Sequence, residues 1–370
     1  MVLMVLDHAR DMYFGFQVRP TDLTRTTVLL FFTRWVTHFC APVFVFLAGV
    51  AAYLYGVRHG AAGTSRFLVL RGLWLVLLEI TIVRLCWVPD PGYHFTVIQV
   101  IWALGWSMVA LAGLSRLPLP AVGAVGATIV ALHNLLDPIR SPMLGRFAPL
   151  WTFLHQQGML RPAPGHMVFV SYPVLPWIGV MALGYTCGAL YQRPADERRR
   201  WLWRLGLAAT TAFVVLRAIN RYGDPTPWSA QPRGVIYTVL SFLNCEKYPP
   251  SLLFLLMTLG PALCALALLE GKLGSDPPAL LRPLLVFGRV PLLFYVAHLA
   301  LLRYSSVPMA IGRWGAARAF QPPPGHGGSP EYPLWTAYAA WVATLLLLYP
   351  LCRWFAALKA RRRDAWLSYL

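Results

Sequence analysis

The chain has 370 residues, 58% of them hydrophobic and 12% charged, with a mean hydropathy of +0.56, and that charged share is about half of what a soluble domain carries. A soluble fold of this length could not hide so much apolar surface, and a backbone in lipid must satisfy its own hydrogen bonds, so the composition excludes a soluble enzyme and predicts an all-α, polytopic integral membrane protein. The formal charge of +18 falls mostly between the apolar runs, where it sets topology and meets anionic headgroups, which argues against nucleic acid as a partner and for the bilayer.

The apolar runs predict about ten membrane-spanning helices. The first ends near Phe16, the second covers Leu29 to Val57, the third Phe67 to Val88 and the fourth Phe95 to Leu114. The fifth covers Ala121 to Leu136, the sixth Val168 to Leu190, the seventh Leu202 to Ile219 and the eighth Ser251 to Leu269. The ninth runs from Leu284 to Leu302 and the tenth from Leu334 to Leu358. Between them lie turn-forming clusters such as Asp137-Pro138 and Pro322-Pro323-Pro324-Gly325. About six apolar residues precede Asp7, too few for a span, which leads us to expect that the first helix begins upstream of Met1. The chain otherwise reads as one transmembrane domain over residues 1–370, with no internal repeat.

Alternate connections differ in charge density. Segments 57–71, 115–119, 192–204, 271–282 and the tail from 353 hold 16 Lys+Arg, including Arg198-Arg199-Arg200 and Arg361-Arg362-Arg363. The longer alternate set holds 12. The dense set is expected to be cytoplasmic, which places both termini there and the long loops outside. The six cysteines show no CxxC spacing and no histidine spacing resembles a metal site, so we expect buried thiols and no metal.

Ionisable residues inside spans are costly and usually paired or functional. Asp7, Arg10 and Asp11 share one helical face, with His8 beside them, and Arg34 and His38 share a face of the second helix. His298 lies in the ninth helix, and Asn244 and Lys247 stand before the eighth. Under the expected orientation these groups lie at similar depth toward the outer face, as a wet cavity would require. The bland reading is an interhelical ion pair for Asp7 and Arg10, a satisfied interhelical imidazole for His298 and an interfacial lysine at 247. Glu79 and Arg84 are expected to be packing partners for other helices. A histidine beside a carboxylate is equipped for general base work, and Arg34 or Lys247 could stabilise an oxyanion. Pro249 and Pro250 are expected to open the eighth helix and hold Lys247 at its N-terminus, where an anionic group would dock. These residues support a polar catalytic or transport cavity and nothing finer.

The run Met4-Val-Leu-Asp-His-Ala-Arg-Asp11 and the segment Phe32–Gly49, with its His38 and Pro42, resemble one bacterial family. It is the membrane-protein family grouped with the catalytic domain of heparan-α-glucosaminide N-acetyltransferase. Tyr172–Gly179, Leu243–Leu252, Met257–Pro261, Phe287–His298 and the tail ending Trp366–Leu370 extend the likeness over nearly the whole chain. The resemblance implies acetyl transfer across a bacterial inner membrane, with acetyl-CoA as a cytoplasmic co-substrate rather than a resident cofactor. A histidine would take part, and a carbohydrate or envelope-glycan amine or hydroxyl would accept on the far side. In the lysosomal enzyme the essential histidine lies between the first two spans, well before the Phe-Pro-aromatic motif. Neither His38 nor His8 matches that position. Both remain catalytic candidates, with Asp7 and Asp11; Arg34 beside His38 ranks it first. Arg34, Asn244, Lys247 and His298 are the candidate binding residues. The competing reading is a transporter or flippase of a small anionic or glycan substrate, without group transfer.

Overall fold

In the computed structural model, which describes residues 1–15, 18–270, 277–315, 332–362 and 364, most of the chain is helix. Phe16, the Pro322–Gly325 turn, Arg363 and the tail Trp366–Leu370 lie outside the described residues. The chain divides into two compact units interleaved in sequence. One comprises Met1–Cys40, Ile80–Thr96 and Gly274–Leu370; the other comprises Ala41–Glu79 and Val97–Leu273.

In the first unit, α1 (Val2–Ala9) passes into a wider π-turn at Arg10–Phe14 and stops at Gly15. α2 (Val28–Thr37) starts at Thr27, whose hydroxyl accepts from the Leu30 N–H at 3.2 Å and so satisfies one of the helix's first donors. Both units contribute to the next path: α3 (Cys40–Leu78) lies almost wholly in the second unit, and α4 (Arg84–Trp87) belongs to the first. The first unit is completed by α12 (Arg282–Arg289), α13 (Pro291–Trp314) and α14 (Leu334–Arg361). Its core joins Val5 and Ala9 of α1 to Phe287, Val290, Phe294 and Leu302, and to Leu348, Cys352 and Phe355 of α14.

The second unit holds α3 and, in order, α5 (Val100–Leu114), α6 (Leu119–Leu132), α7 (Ala148–Leu154), α8 (Leu175–Cys187), α9 (Ala195–Ile219), α10 (Val235–Leu243) and α11 (Leu252–Leu269). Glycines let these helices approach closely, as packing in lipid favours. A Cβ on Gly49 would lie 2.1 Å from the Met181 carbonyl oxygen, and one on Gly184 would lie 2.0 Å from that of Phe46, so α3 and α8 meet backbone to backbone. β2 (Gly158–Ala163) and β3 (His166–Val170) form an antiparallel hairpin that pairs Gly158 with Val170 and Leu160 with Val168. β1 (Phe95–Ile98) lies next to β3, and the Ser171 N–H donates to the Ile98 carbonyl.

Six helical stretches are long and apolar enough to cross a membrane, among the described residues, and they make this a multi-pass membrane protein. The longest, Val28–Trp87, covers the second and third expected spans in one 60-residue path. Gly60, at φ +70°, divides α3 inside it into helices 40–59 and 61–78, a conformation that a side chain would oppose. Two expected spans are shorter than anticipated. Residues 95–98 are strand, so helix begins only at Val100, and residues 166–170 are strand, so the sixth helix begins at Leu175. Short apolar runs of β-branched and aromatic residues fit strand and helix equally by periodicity, and Phe95-Thr-Val-Ile98 and His166–Val170 are such runs. The eighth helix starts at Leu252 with Ser251 as its cap, and Pro249 and Pro250 precede it rather than open it. Leu207, Val214, Val215, Leu346 and Leu347 are exposed along α9 and α14, a surface that suits lipid.

Candidate functional site

The polar groups of the first unit converge where α1 faces α2 and α13. Three of them stand one turn apart on α1 and its π-turn, so Arg10 reaches back to Asp7 (Nη2–Oδ1 3.1 Å) and across to Asp11 (2.6 Å). From α2, Nη1 of Arg34 lies 2.5 Å from each oxygen of Asp7. None of the four side chains is more than 16% exposed. Two carboxylates and two guanidinia therefore form a neutral, largely buried cluster, the only form in which so many charges are tolerated away from water. A π-turn in the middle of such a cluster is a frequent companion of functional sites.

His8 points to the other side of α1. Its Nδ1 lies 2.8 Å from Nε2 of His298, and the two rings lie side by side with centroids 5.0 Å apart and planes 2° from parallel. Nδ1 of His298 lies 2.7 Å from the Phe294 carbonyl oxygen. A carbonyl only accepts, so His298 carries its proton on Nδ1 and its lone pair on Nε2. Nδ1–H of His8 donates to that lone pair, which leaves the His8 lone pair on Nε2. The Phe294 carbonyl thus fixes the tautomer of both rings. Trp87 and Tyr295 meet the His8 ring edge-on, with centroids 5.0 and 6.3 Å away.

His38 ends α2 and is buried. Arg34, its neighbour on the helix face, pairs with Asp7. The structure therefore brings together Asp7, His8, Asp11, Arg34 and His298, with His38 one turn beyond Arg34. Tyr295, three residues before His298 on the same helix, was legible as a neighbour of that imidazole; Trp87 carried no such signal.

Asn244 and Lys247 belong to the second unit. The Asn244 carbonyl accepts from Nη2 of Arg217 at 2.8 Å. Lys247 is 6% exposed, with Nζ over the rings of Tyr172 and Tyr248 at 5.8 and 5.1 Å, so it is a buried cation on aromatic faces rather than an interfacial one. The start of α11 beside it is already capped: Leu252, Leu253 and Phe254 N–H donate to Asn134 Oδ1, the Gly223 carbonyl and Ser251 Oγ. The anion dock expected at that helix end thus has its donors committed within the chain. Sequence reading did not single out Asp224, which holds this loop. It accepts from Ser251 Oγ at 2.7 Å and from the Glu246 N–H at 2.8 Å, with Arg217 3.6 Å away. Burial pushes its carboxyl above the ordinary carboxylate range, against those hydrogen bonds and the Arg217 charge. Glu79 meets the start of another helix, α5, as expected, whereas Arg84 meets a strand and a turn rather than a helix. Glu79 accepts from the Gln99 N–H at 2.8 Å, and Arg84 donates to Thr96 Oγ1 at 3.0 Å and to the Asp90 carbonyl.

Residues 1–221 match the family model described as heparan-alpha-glucosaminide N-acetyltransferase, catalytic. The chain belongs to that family. The matched region contains Asp7, His8, Asp11, Arg34 and His38 and ends before Asn244, Lys247 and His298. The family is acetyltransferase-like, and the matched residues run from α1 to the end of α9. No curated protein and no solved structure matches the chain.

Proposed function

We propose that the protein moves an acetyl group from acetyl-CoA, presented at the cytoplasmic face of a bacterial inner membrane, to a carbohydrate or envelope-glycan amine or hydroxyl on the outer face. About ten spans with both termini cytoplasmic belong to the same reading. Its support is the family membership together with one observation: the carbonyl-to-His298-to-His8 relay, which holds the proton of His8 on Nδ1.

In this reading Nε2 of His8 attacks the thioester carbonyl carbon, the C–S bond breaks, and CoA leaves as the thiolate. The acetyl-imidazole is cationic because Nδ1 keeps its proton, and the His298 lone pair accepts that N–H and spreads the charge. The acceptor then attacks the same carbon, the C–N bond breaks, and the acceptor proton passes through Nε2 to the thiolate. Asp7 and Asp11, balanced by Arg10 and Arg34, keep the surrounding field near neutral, so that neither a neutral nor a cationic ring is strongly disfavoured. His38 is the second candidate for the reacting ring.

The test is incubation of the purified full-length protein with acetyl-labelled CoA, reading label on protein and release of free CoA for wild type, His8→Ala and His38→Ala. Label that is lost in His8→Ala and kept in His38→Ala supports the assignment; the reverse pattern moves the role to His38. No label and no CoA release in any folded form removes acetyl-CoA as donor and leaves the transporter reading.

A further inference from the structure

Away from both groups already described, the chain between α6 and β2 leaves large apolar side chains uncovered. The stretch Leu119–Leu136 is long and apolar enough to cross a membrane, and near its end Leu132 and Leu135 are exposed, as lipid-facing residues are. The exposure does not stop where the span stops. Ile139, Met143, Phe147 and Leu150 follow along the chain, with Met143 71% exposed and Phe147 and Leu150 each 54%. They stand on the 3-10 segment Ser141–Phe147, which Gly145 breaks at φ +51°, and on the residues either side of it, including the start of α7.

This segment is folded back against the end of the span. Nε2 of His155, which closes α7, lies 3.0 Å from Oδ1 of Asp137, and the His155 ring meets that of His133 edge-on with centroids 5.7 Å apart. Nε1 of Trp151 donates to the Ile139 carbonyl at 2.9 Å, and the Ser141 N–H donates to Gln156 Oε1 at 2.8 Å. The inner side of α7 is covered. Thr152 is buried, Phe153 packs on Trp102 of α5 with centroids 5.5 Å apart, and the Phe153 carbonyl accepts from the Val174 N–H just before α8. One side of the segment is therefore docked on the helices, and the apolar side chains on the other are held within a few residues' reach of the end of the span.

The charge there has one sign. Between Asp137 and Asp196 the chain has no acidic residue. Arg140 and Arg146 are exposed and have no carboxylate partner among the described residues, and the Arg146 guanidinium lies 4.9 Å from the centre of the Phe147 ring.

We propose that residues 139–150 form an in-plane membrane anchor. Met143, Phe147 and Leu150 sit at the edge of the acyl chains, and Arg140 and Arg146 hold the phosphates of anionic phospholipid. Exposed apolar side chains with unpaired cations beside them, continuous with a lipid-facing span, match the boundary of an anionic bilayer. Water is the poorer neighbour, because three large apolar side chains would stay hydrated a few residues from hydrocarbon. A second copy of the chain is poorer too. A twofold contact would set this face against itself, arginine towards arginine, with no carboxylate in the segment to separate them.

The test uses the full-length protein in nanodiscs of phosphatidylcholine with and without phosphatidylglycerol. A nitroxide is attached at Phe147→Cys, and at Met143→Cys should the first variant fold poorly, with labelled wild type as the background and Leu346→Cys on α14 as the lipid reference. Oxygen is expected to relax the label more than a water-soluble nickel chelate does, as at the reference. In the second arm, phosphatidylglycerol or phosphatidylcholine carries a diazirine near its headgroup, and crosslinks are mapped by mass spectrometry. Phosphatidylglycerol is expected to crosslink to 138–158 in preference, and the yield to fall about fivefold for each of Arg140→Gln and Arg146→Gln. Relaxation dominated by nickel would put the face in water, and protection from both relaxants would put it under protein; either overturns the proposal. Crosslinking that is equal for the two lipids, or unchanged in both arginine variants, overturns it as well. None of these readouts involves acetyl transfer, so the failure of one reading leaves the other standing.

Discussion

Removing the Asp7 charge tests whether the cluster on α1 is held as a neutral set. Asp7 meets Arg34 Nη1 with both oxygens at 2.5 Å and Arg10 at 3.1 Å. In Asp7→Asn the two guanidinia face the single carboxylate of Asp11, and the buried cluster acquires a net positive charge. Losing one partner of a buried pair costs about 3–5 kcal/mol, because the other charge is left uncompensated. Arg34→Met leaves the opposite imbalance and is expected to cost a similar amount. In the double variant Asp7→Asn/Arg34→Met the remaining Arg10–Asp11 pair is neutral again, so the double is expected to be less destabilised than either single. Unfolding by SDS in mixed micelles, followed by far-UV circular dichroism, gives the four free energies of the cycle. Additive losses, or a loss below about 1 kcal/mol for Asp7→Asn as for a solvent-screened pair, would refute the reasoning.

Other consequences concern the relay, the helix contacts and acid. His298→Phe keeps an aromatic ring at that position and removes the acceptor for His8, so CoA release is expected to fall about 10- to 100-fold, the worth of one buried hydrogen bond to a charged ring, while the fold survives; unchanged release would dismiss the relay. Gly184→Ala drives a methyl into the Phe46 carbonyl and is expected to destabilise by about 1–3 kcal/mol or more, whereas Gly113→Ala on α5, with nothing within 4 Å, is expected to stabilise by about 0.5–1 kcal/mol. Thermal melts of the two variants separate these signs. At Asp90 burial pushes the carboxyl up, but hydrogen bonds from the His94 side chain and from the His94, Gly92 and Phe95 N–H groups outweigh it and bring it down to about 2. A lowered carboxyl contributes stability that is present above its unfolded value near 4 and lost as pH falls toward 2. Proteolysis of the 88–94 turn by an acid-active protease is expected to rise over that window in wild type and to be already high, and flat, in Asp90→Asn.

The helical class and most of the long spans follow from hydropathy alone, because lipid removes the alternatives to an internally bonded backbone. What composition could not separate was helix from strand in short apolar runs: Phe95–Ile98 and His166–Val170 pair as strands only because distant chain segments supply partners. The same limit governs the site. Asp7, Arg10 and Asp11 were visible as one face, since 3.6 residues per turn puts them there whatever surrounds them. That Arg34 reaches Asp7 is a fact of packing between α1 and α2.

The contrast between the histidines sharpens this. His298 carried two sequence readings, a satisfied interhelical imidazole and a member of the site, and the structure merges them: it is satisfied by the Phe294 carbonyl, and that satisfaction is what sets the tautomer of His8. The sequence singled out neither His133 nor His155: His155 falls between the expected fifth and sixth spans, and His133 lies within the fifth. Their meeting depends on Asp137, 18 residues before His155, and on α7 folding back to bring them together. A sequence reading weighs an ionisable residue by the cost of its surroundings, and loops look inexpensive. Where single loop residues are buried against helix ends, as His133, Asn134 and His155 are, the cost is as high as within a span, and such residues carry the same claim to function.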